Sequence, residues 1–216
     1  SVISTISSSL KIKKEMNILD DKEFYEALQS INRTSQHLSN TIDDFRNFFS
    51  PNKEMNKFYV SQLIKKSKDL IKSRFDKFNI KVIENIDDIE ILSYQNELFQ
   101  VILNLFSNSI DVLSSSQIED KIIHIKIYQD ENNLCIEFLD NGGGIKDEFI
   151  NRVFEPYFTT KHKSQGTGIG LYMSLQIVTK HLNGEISVKN DTFIENNTAY
   201  FGAKFTILLP INLQKN

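Results

Sequence analysis

From Asp20 to Ser50 the apolar residues Phe24, Leu28, Ile31, Leu38, Ile42, Phe45 and Phe49 recur at steps that alternate between four and three, with Ser35 filling the single gap. A seam of that period, held over about four heptads, commits the segment to one long helix whose apolar stripe packs on another helix. Upstream, Ile3, Ile6 and Leu10 in "SVISTISSSLKIKKEM" repeat at helical spacing, and "NILDD" supplies a break followed by an N-cap. Residues 1–57 are therefore expected to form a helical hairpin. Two helices cover their own apolar stripes poorly, so a homodimer that joins two hairpins as a four-helix bundle is the economical arrangement. The alternative is a hairpin folded against its own C-terminal region. After Phe49, "SPNKEMN" ends the helix and serves as a linker.

Residues 58–216 have a different texture. "VSQLIKKSKDLIKSRF" and "QNELFQVILNLFSNSIDVL" are helical in period, with Leu98, Val101, Leu105 and Val112 as the expected core row of the second. "NIKVIENI" and "IEILSY" read as strands, and "KIIHIKIYQD" and "NLCIEFLD" predict a hairpin around "ENN" with Ile123, Ile125 and Ile127 on one face. A glycine-rich loop, the helix "GLYMSLQIVTKHL" with Leu171, Leu175, Val178 and Leu182 as its buried face, and the strands "EISVKN" and "AYFGAKFTILLP" complete the region. Helices and strands do not alternate strictly enough for a doubly wound sheet. The expected fold class is α+β: the hairpin, then a sandwich of a mixed sheet on helices.

Composition narrows the function classes. The 40% hydrophobic content of 216 residues is enough for a core, and a net charge of -3 with no long Lys/Arg run argues against a nucleic-acid partner. Cys135 is the only cysteine, so neither an intrachain disulfide nor a Cys-based metal site is available, and a reducing, cytoplasmic setting fits. No apolar run approaches the ~18 residues of a membrane span. The chain starts at Ser1 inside a helical pattern without an initiator Met, which predicts a fragment, attached to a membrane only through upstream segments if at all.

Three polar constellations stand out. Asn104 and Asn108 are one turn apart on the edge of an apolar helix, with Asp111 beyond them. They can bond neighbouring loops, or their stacked carbonyl oxygens can hold a hard cation such as Mg²⁺. Asp140 ends an apolar strand in "LDNGGGI", where it can bond its own turn or accept from the exocyclic amine of adenine while Gly142 and Gly144 let the backbone bend round the base. Gly166, Gly168 and Gly170 precede or open the first turn of the next helix, where free N–H groups and the helix dipole suit phosphates. Neither a P-loop nor a dinucleotide-binding fingerprint is present.

Taken in order, "NLFSN", "DNGGGI", "FEPYFTTK" and "GTGIGL" closely resemble the N, G1, F and G2 boxes of bacterial sensor histidine kinases of the GHKL superfamily, with the resemblance running from 58 to 210. It implies a Bergerat-type ATP site. In that reading Asn108, helped by Asn104, binds Mg²⁺; Asp140 reads the adenine amine; Gly142, Gly144 and Ile145 line the base pocket. The mobile lid runs from Phe154 to Gly168, with Phe154 and Phe158 as latches and Lys161 near the phosphates. Gly166, Thr167, Gly168, Gly170 and Leu171 complete the nucleotide contacts. The short lid is similar to that of nitrogen-regulator-type kinases. One departure is Asp111, which stands where many relatives carry a phosphate-contacting lysine.

The resemblance further implies phosphoryl transfer to a histidine on the bundle and then to an aspartate of a response regulator. None of His37, His124, His162 and His181 lies in a matching H-box. "SVISTISSSL" resembles the segment just downstream of one, so the acceptor is expected just before Ser1, and no catalytic residue is assigned within the chain. Two alternatives remain. A hydrolase of the gyrase, MutL or chaperone type would carry a glutamate where Asn104 stands, and Asn104 cannot accept a proton; a dimeric interaction module would have lost turnover altogether.

Overall fold

The computed structural model describes residues 2–48, 54–160 and 167–212; within helix 21–48 the side chains of Arg33 and of residues 36–48 lie outside that description. The chain divides into two compact units, Ser1–Pro51 with Tyr157–Ile169, and Asn52–Pro156 with Gly170–Asn216.

In the first unit, α1 (Val2–Glu15) and α2 (Asp21–Phe48) form the hairpin. Asn17 takes the left-handed conformation at φ 55°. The Ile18 N–H bonds the Lys13 carbonyl at 3.0 Å and the Asn17 N–H bonds that of Lys14 at 3.2 Å, a Schellman ending. Asp20 then caps α2, its Oδ1 accepting the Glu23 N–H at 2.7 Å, and Lys13 and Glu23 tie the helices as an ion pair. The apolar stripes are only partly covered: Ile3, Ile6, Leu10 and Ile31 are half-buried, while Phe24 is 40% and Leu28 42% exposed. Side chains of Leu38, Ile42, Phe45 and Phe49 fall outside the described residues.

The second unit starts with β1 (Asn56–Tyr59) and α3 (Val60–Phe78), followed by β2 (Ile80–Ile86), β3 (Glu90–Ser93) and α4 (Gln95–Ser115). Next come β4 (Lys121–Asp130), β5 (Asn133–Asp140) and α5 (Asp147–Ile150). Then α6 (Gly170–Gln176) runs into a π-helical turn at Ile177–His181 before β6 (Glu185–Glu195) and β7 (Thr198–Pro210). Strands β2, β4, β5, β7 and β6 lie in that order in one sheet, parallel only between β2 and β4; β1 and β3 make a separate antiparallel pair. The mixed sheet on helices is the α+β arrangement expected.

The core lies between this sheet and α3, α4 and α6. Phe106 of α4 meets Phe138 of β5 edge to face at 5.0 Å and Phe75 of α3 at 5.5 Å, while Ile123 and Ile125 are fully enclosed. Two expected core faces shift. On α4 the buried set is Leu98, Val101, Ile102, Leu105, Phe106, Ile110 and Leu113, while Val112 is 38% exposed. The reason is helical geometry: Val112 stands four residues beyond Asn108, on the flank of the asparagines. On α6, Met173, Ile177, Val178 and Leu182 are buried, and Leu171 and Leu175 only half so. Leu171 and Leu175 both precede the widened turn, closed by the Leu182 N–H on the Ile177 carbonyl at 3.0 Å, and the residues expected in and after it, Val178 and Leu182, keep the buried face. Among the described residues no helix is long and apolar enough to cross a membrane.

Candidate functional site

The site is built around one flank of α4. Asn104 donates from Nδ2 to the Ser174 hydroxyl of α6 at 2.8 Å. Its Oδ1 lies 2.3 Å from where a Cβ on Gly170 would stand, so a glycine there leaves the Asn104 carboxamide in place. One turn on, the Nδ2 of Asn108 is enclosed and has no hydrogen-bond partner among the described residues. An enclosed donor without an acceptor is costly, so the arrangement is complete only when a further polar group arrives. Asp111 is paired instead with Arg74 of α3 at 2.8 Å, and Arg74 also donates to Ser107 at 2.9 Å.

Asp140 ends β5 with 4% of its surface exposed. One carboxylate oxygen accepts the Gly142 N–H at 2.9 Å and the other the Ser109 hydroxyl at 3.2 Å. Burial pushes its pKa above the ordinary carboxylate value, opposed by the Gly142 amide, the Ser109 hydroxyl and the Ala203 amide. Each carboxylate oxygen can accept more than one bond, so acceptor capacity remains for an amine. Behind it Gly202 of β7 crosses so closely that a Cβ there would fall 1.8 Å from the Asp140 carbonyl oxygen.

Asn141 extends the β4–β5 ladder by its side chain, accepting the Ile122 N–H at 2.8 Å. The chain then turns through Gly142, which packs under Val112, and Gly144, whose φ of 78° suits glycine. Ile145 is held by the Asn190 side chain through two bonds, its N–H donating to Oδ1 at 2.8 Å and its carbonyl accepting from Nδ2 at 2.7 Å. Phe154 is half-buried, its ring edge-on to Phe205 at 6.4 Å.

Of the expected site residues, Asn104, Asn108, Asp140, Gly142, Gly144, Ile145, Phe154, Gly170 and Leu171 belong to this one unit. Phe158, Thr167 and Gly168 belong to the other, where the Tyr157 N–H bonds the Gly168 carbonyl at 3.0 Å and Thr167 Oγ1 accepts the Ile169 N–H at 3.3 Å. Lys161 and Gly166 lie outside the described residues, as do His162 and the side chain of His37. The His124 ring lies tilted against that of Phe193 at 5.6 Å, and burial lowers its pKa. His181 Nδ1 lies 3.0 Å from the Glu97 carboxylate. Both have structural surroundings.

Ser109, Ser174, Asn190 and Gly202 went unrecognised in the sequence. Their importance lies in pairings of distant residues that carry no periodic signal.

Residues 93–213 match the profile of the family described as "Histidine kinase-, DNA gyrase B-, and HSP90-like ATPase". Sporulation kinase E of Bacillus subtilis (strain 168) is 32% identical over 155 residues, covering 71% of this chain and 19% of that protein. The chain spans about a fifth of the length of the curated relatives it matches. The solved catalytic domain of histidine kinase ThkA, 25% identical, superposes with a TM-score of 0.61 over 74% of this chain and 97% of that one. The structure of ThkA in complex with response regulator protein TrrA gives 0.72 at 22% identity, over 98% of this chain and 58% of that one, a likeness of fold that includes the hairpin.

Proposed function

Since the chain belongs to the histidine kinase-, DNA gyrase B- and HSP90-like ATPase family, on its sensor histidine kinase branch, we propose that it is the kinase core of a two-component sensor, binding Mg-ATP at the α4 site and supplying phosphoryl groups to a histidine of the helical bundle. The observation that carries this is a buried carboxylate and an enclosed, unpartnered amide donor brought to one helix: Asp140, fixed by Ser109 of α4 and by Gly142, and Asn108, the next residue of α4, whose Nδ2 has no partner among the described residues.

The residues fit the ligand. Asp140 accepts from the adenine amine, with Gly142, Gly144 and Ile145 as the wall of the base pocket. Asn108 Oδ1, with Asn104 beside it, suits Mg²⁺, which takes oxygen ligands and keeps several waters. With the nucleotide and its metal bound, Asn108 Nδ2 would gain the acceptor that it lacks among the described residues. Bound Mg²⁺ neutralises phosphate charge, and the protein's part in transfer is positioning. Lys161, Gly166, Thr167, Gly168 and Gly170 are assigned to the phosphates, and Phe154 and Phe158 to closing the lid.

None of His37, His124, His162 and His181 is assigned as the acceptor, because none lies in a matching H-box; the rings of His124 and His181 are besides engaged by Phe193 and Glu97. From the bundle histidine the phosphoryl group passes to an aspartate of a receiver domain in the cytoplasm, and the partly covered seam of α1 and α2 pairs with a second copy. Direct hydrolysis is disfavoured because Asn104 occupies the position of a hydrolase's base and is already engaged with Ser174.

Calorimetric titration with a non-hydrolysable ATP analogue, with and without Mg²⁺, tests the reading. Binding should be abolished by Asp140→Ala and made indifferent to Mg²⁺ by Asn108→Ala. A folded wild-type chain that binds nothing would reduce the cleft to a remnant and favour an interaction module. For the transfer step, labelled ATP supplied to the full-length protein should place label on histidine.

A further inference from the structure

We propose that Asn190 of β6 is a positioning residue for the nucleobase pocket, setting the wall that faces Asp140 and with it the preference for adenine. The inference rests on the nucleotide reading above, and it starts from where the sheet ends. Pairing between β5 and β7 stops at Leu139 opposite Lys204, while β6 and β7 continue together to Glu195 and Thr198. Beyond Leu139, β5 keeps to β4 on its other edge only through Asp140 opposite Ile123 and Asn141 on Ile122, so the segment from Gly142 to Ile145 leaves the sheet, and something else must fix it.

The projecting β6–β7 hairpin does so. Phe201 offers its carbonyl to the Gly143 N–H at 3.3 Å. Asn190 then engages Ile145 on both backbone groups, at 2.8 Å and 2.7 Å, so its carboxamide replaces the strand that the sheet no longer provides. Between these contacts Gly144 is pressed against the hairpin: a Cβ there would lie 2.6 Å from Asn190 Oδ1 and 2.9 Å from the Phe201 ring. The opposite side of the pocket is set by Asp140, which is bound to Ser109 of α4 and to the Gly142 and Ala203 amides. Ala203 of β7 is paired with Asn190, so acceptor and loop wall are referred to the same stretch of the β6–β7 hairpin, and Asn190 is the side chain that carries its position to Ile145.

The chemistry singles out asparagine. A carboxamide carries one acceptor and two donors on a planar group and can match an N–H and a C=O together. Aspartate keeps the shape but sets an oxygen against the Ile145 carbonyl, and leucine keeps the bulk but neither bond. A loop released in either way accommodates purines less selectively.

The test measures affinity for ATP and GTP analogues in the wild type, Asn190→Asp and Asn190→Leu, together with hydrogen exchange of individual amides and thermal unfolding. Loss of two hydrogen bonds predicts about a tenfold fall in affinity for the ATP analogue, with the smaller fall for GTP lowering the preference by a similar factor. The Ile145 amide should exchange faster in both variants while the Gly142 amide, bonded to Asp140, stays protected. A merely structural role would lower the melting temperature and weaken both nucleotides equally. A wild type that binds ATP, with variants that keep its affinity, its base preference and a protected Ile145 amide, overturns the assignment of Asn190 alone. A wild type that binds neither analogue overturns the nucleotide reading and this assignment with it. Should Asn190→Leu not fold, the isosteric Asn190→Asp carries the same comparisons.

Discussion

The carboxylate of Asp111 on α4 and the guanidinium of Arg74 on α3 meet at 2.8 Å, while Asn104, two turns earlier on α4, is bonded to Ser174 of α6. The position at which many sensor kinases carry a phosphate-contacting lysine is here given to a tie between two helices. Both side chains are about one-third exposed, so the pair is partly screened. Asp111→Lys should lower unfolding free energy by about 1 kcal/mol, as attraction becomes repulsion and Arg74 swings towards solvent. Denaturant melts of the two proteins measure this; an unchanged midpoint would mean that the pair holds nothing together.

Asp140 sets stability against binding. Its folded-state pKa is raised, so between 3.8 and that higher value the folded protein holds more protons than the unfolded chain. Stability therefore falls as pH rises through this window, and the ionised group is a net burden at neutral pH. Asp140→Asn should raise the melting temperature at pH 7 while weakening nucleotide affinity by an order of magnitude or more, roughly the strength of a charge-assisted hydrogen bond. In the wild type, acidification should weaken nucleotide binding with a midpoint above 3.8. A titration whose midpoint sits at the ordinary aspartate value would show that burial does not govern this carboxylate.

What could be read from the sequence was whatever repeats. The heptad seam located α2, the period of α4 put Asn104 and Asn108 on one flank, and alternation picked out Ile123, Ile125 and Ile127. Val112 reads two ways because it stands seven residues from the core residue Leu105 and four from Asn108, and only packing decides which face it joins. The residues that hold the site were invisible for a different reason. Ser109 and Asp140 are 31 residues apart, Arg74 and Asp111 37, and Asn190 and Ile145 45. Each is a single polar pairing made by the tertiary fold, and no local pattern announces it. Gly202 is similar: its need is not for an unusual backbone angle but for the space taken by Asp140.

Two glycines with close neighbours should behave differently when given a methyl group. At Gly202 the obstacle is the Asp140 backbone at 1.8 Å, which cannot yield without parting β7 from the end of β5. Gly202→Ala should cost about 3 kcal/mol or more. At Gly170 the obstacle is the amide oxygen of Asn104 at 2.3 Å, the end of a side chain that can rotate. Gly170→Ala should cost about 1 kcal/mol, that of the Asn104–Ser174 bond, and should show itself in weaker Mg²⁺-dependent nucleotide binding. Thermal melts and titrations of both variants separate the cases; equal destabilisation would contradict the distinction between backbone and side-chain obstacles.

The hairpin supplies the last test. Phe24 and Leu28, successive seam residues of α2, are 40% and 42% exposed, and no apolar side chain described in α1 or α2 is fully buried. Enclosing the exposed remainder under a second hairpin is worth about 1 kcal/mol per side chain, the corresponding part of the value for full burial. Replacing both with aspartate should reverse that gain twice over and add charge repulsion across the bundle, turning a dimer into a monomer at micromolar concentration. Sedimentation equilibrium reads the mass directly. Nucleotide affinity should be retained, because the residues from Asn104 to Ile145 belong to the other unit. A wild type that sediments as a monomer would overturn the bundle; a dimeric double variant would place the contact elsewhere than on this seam.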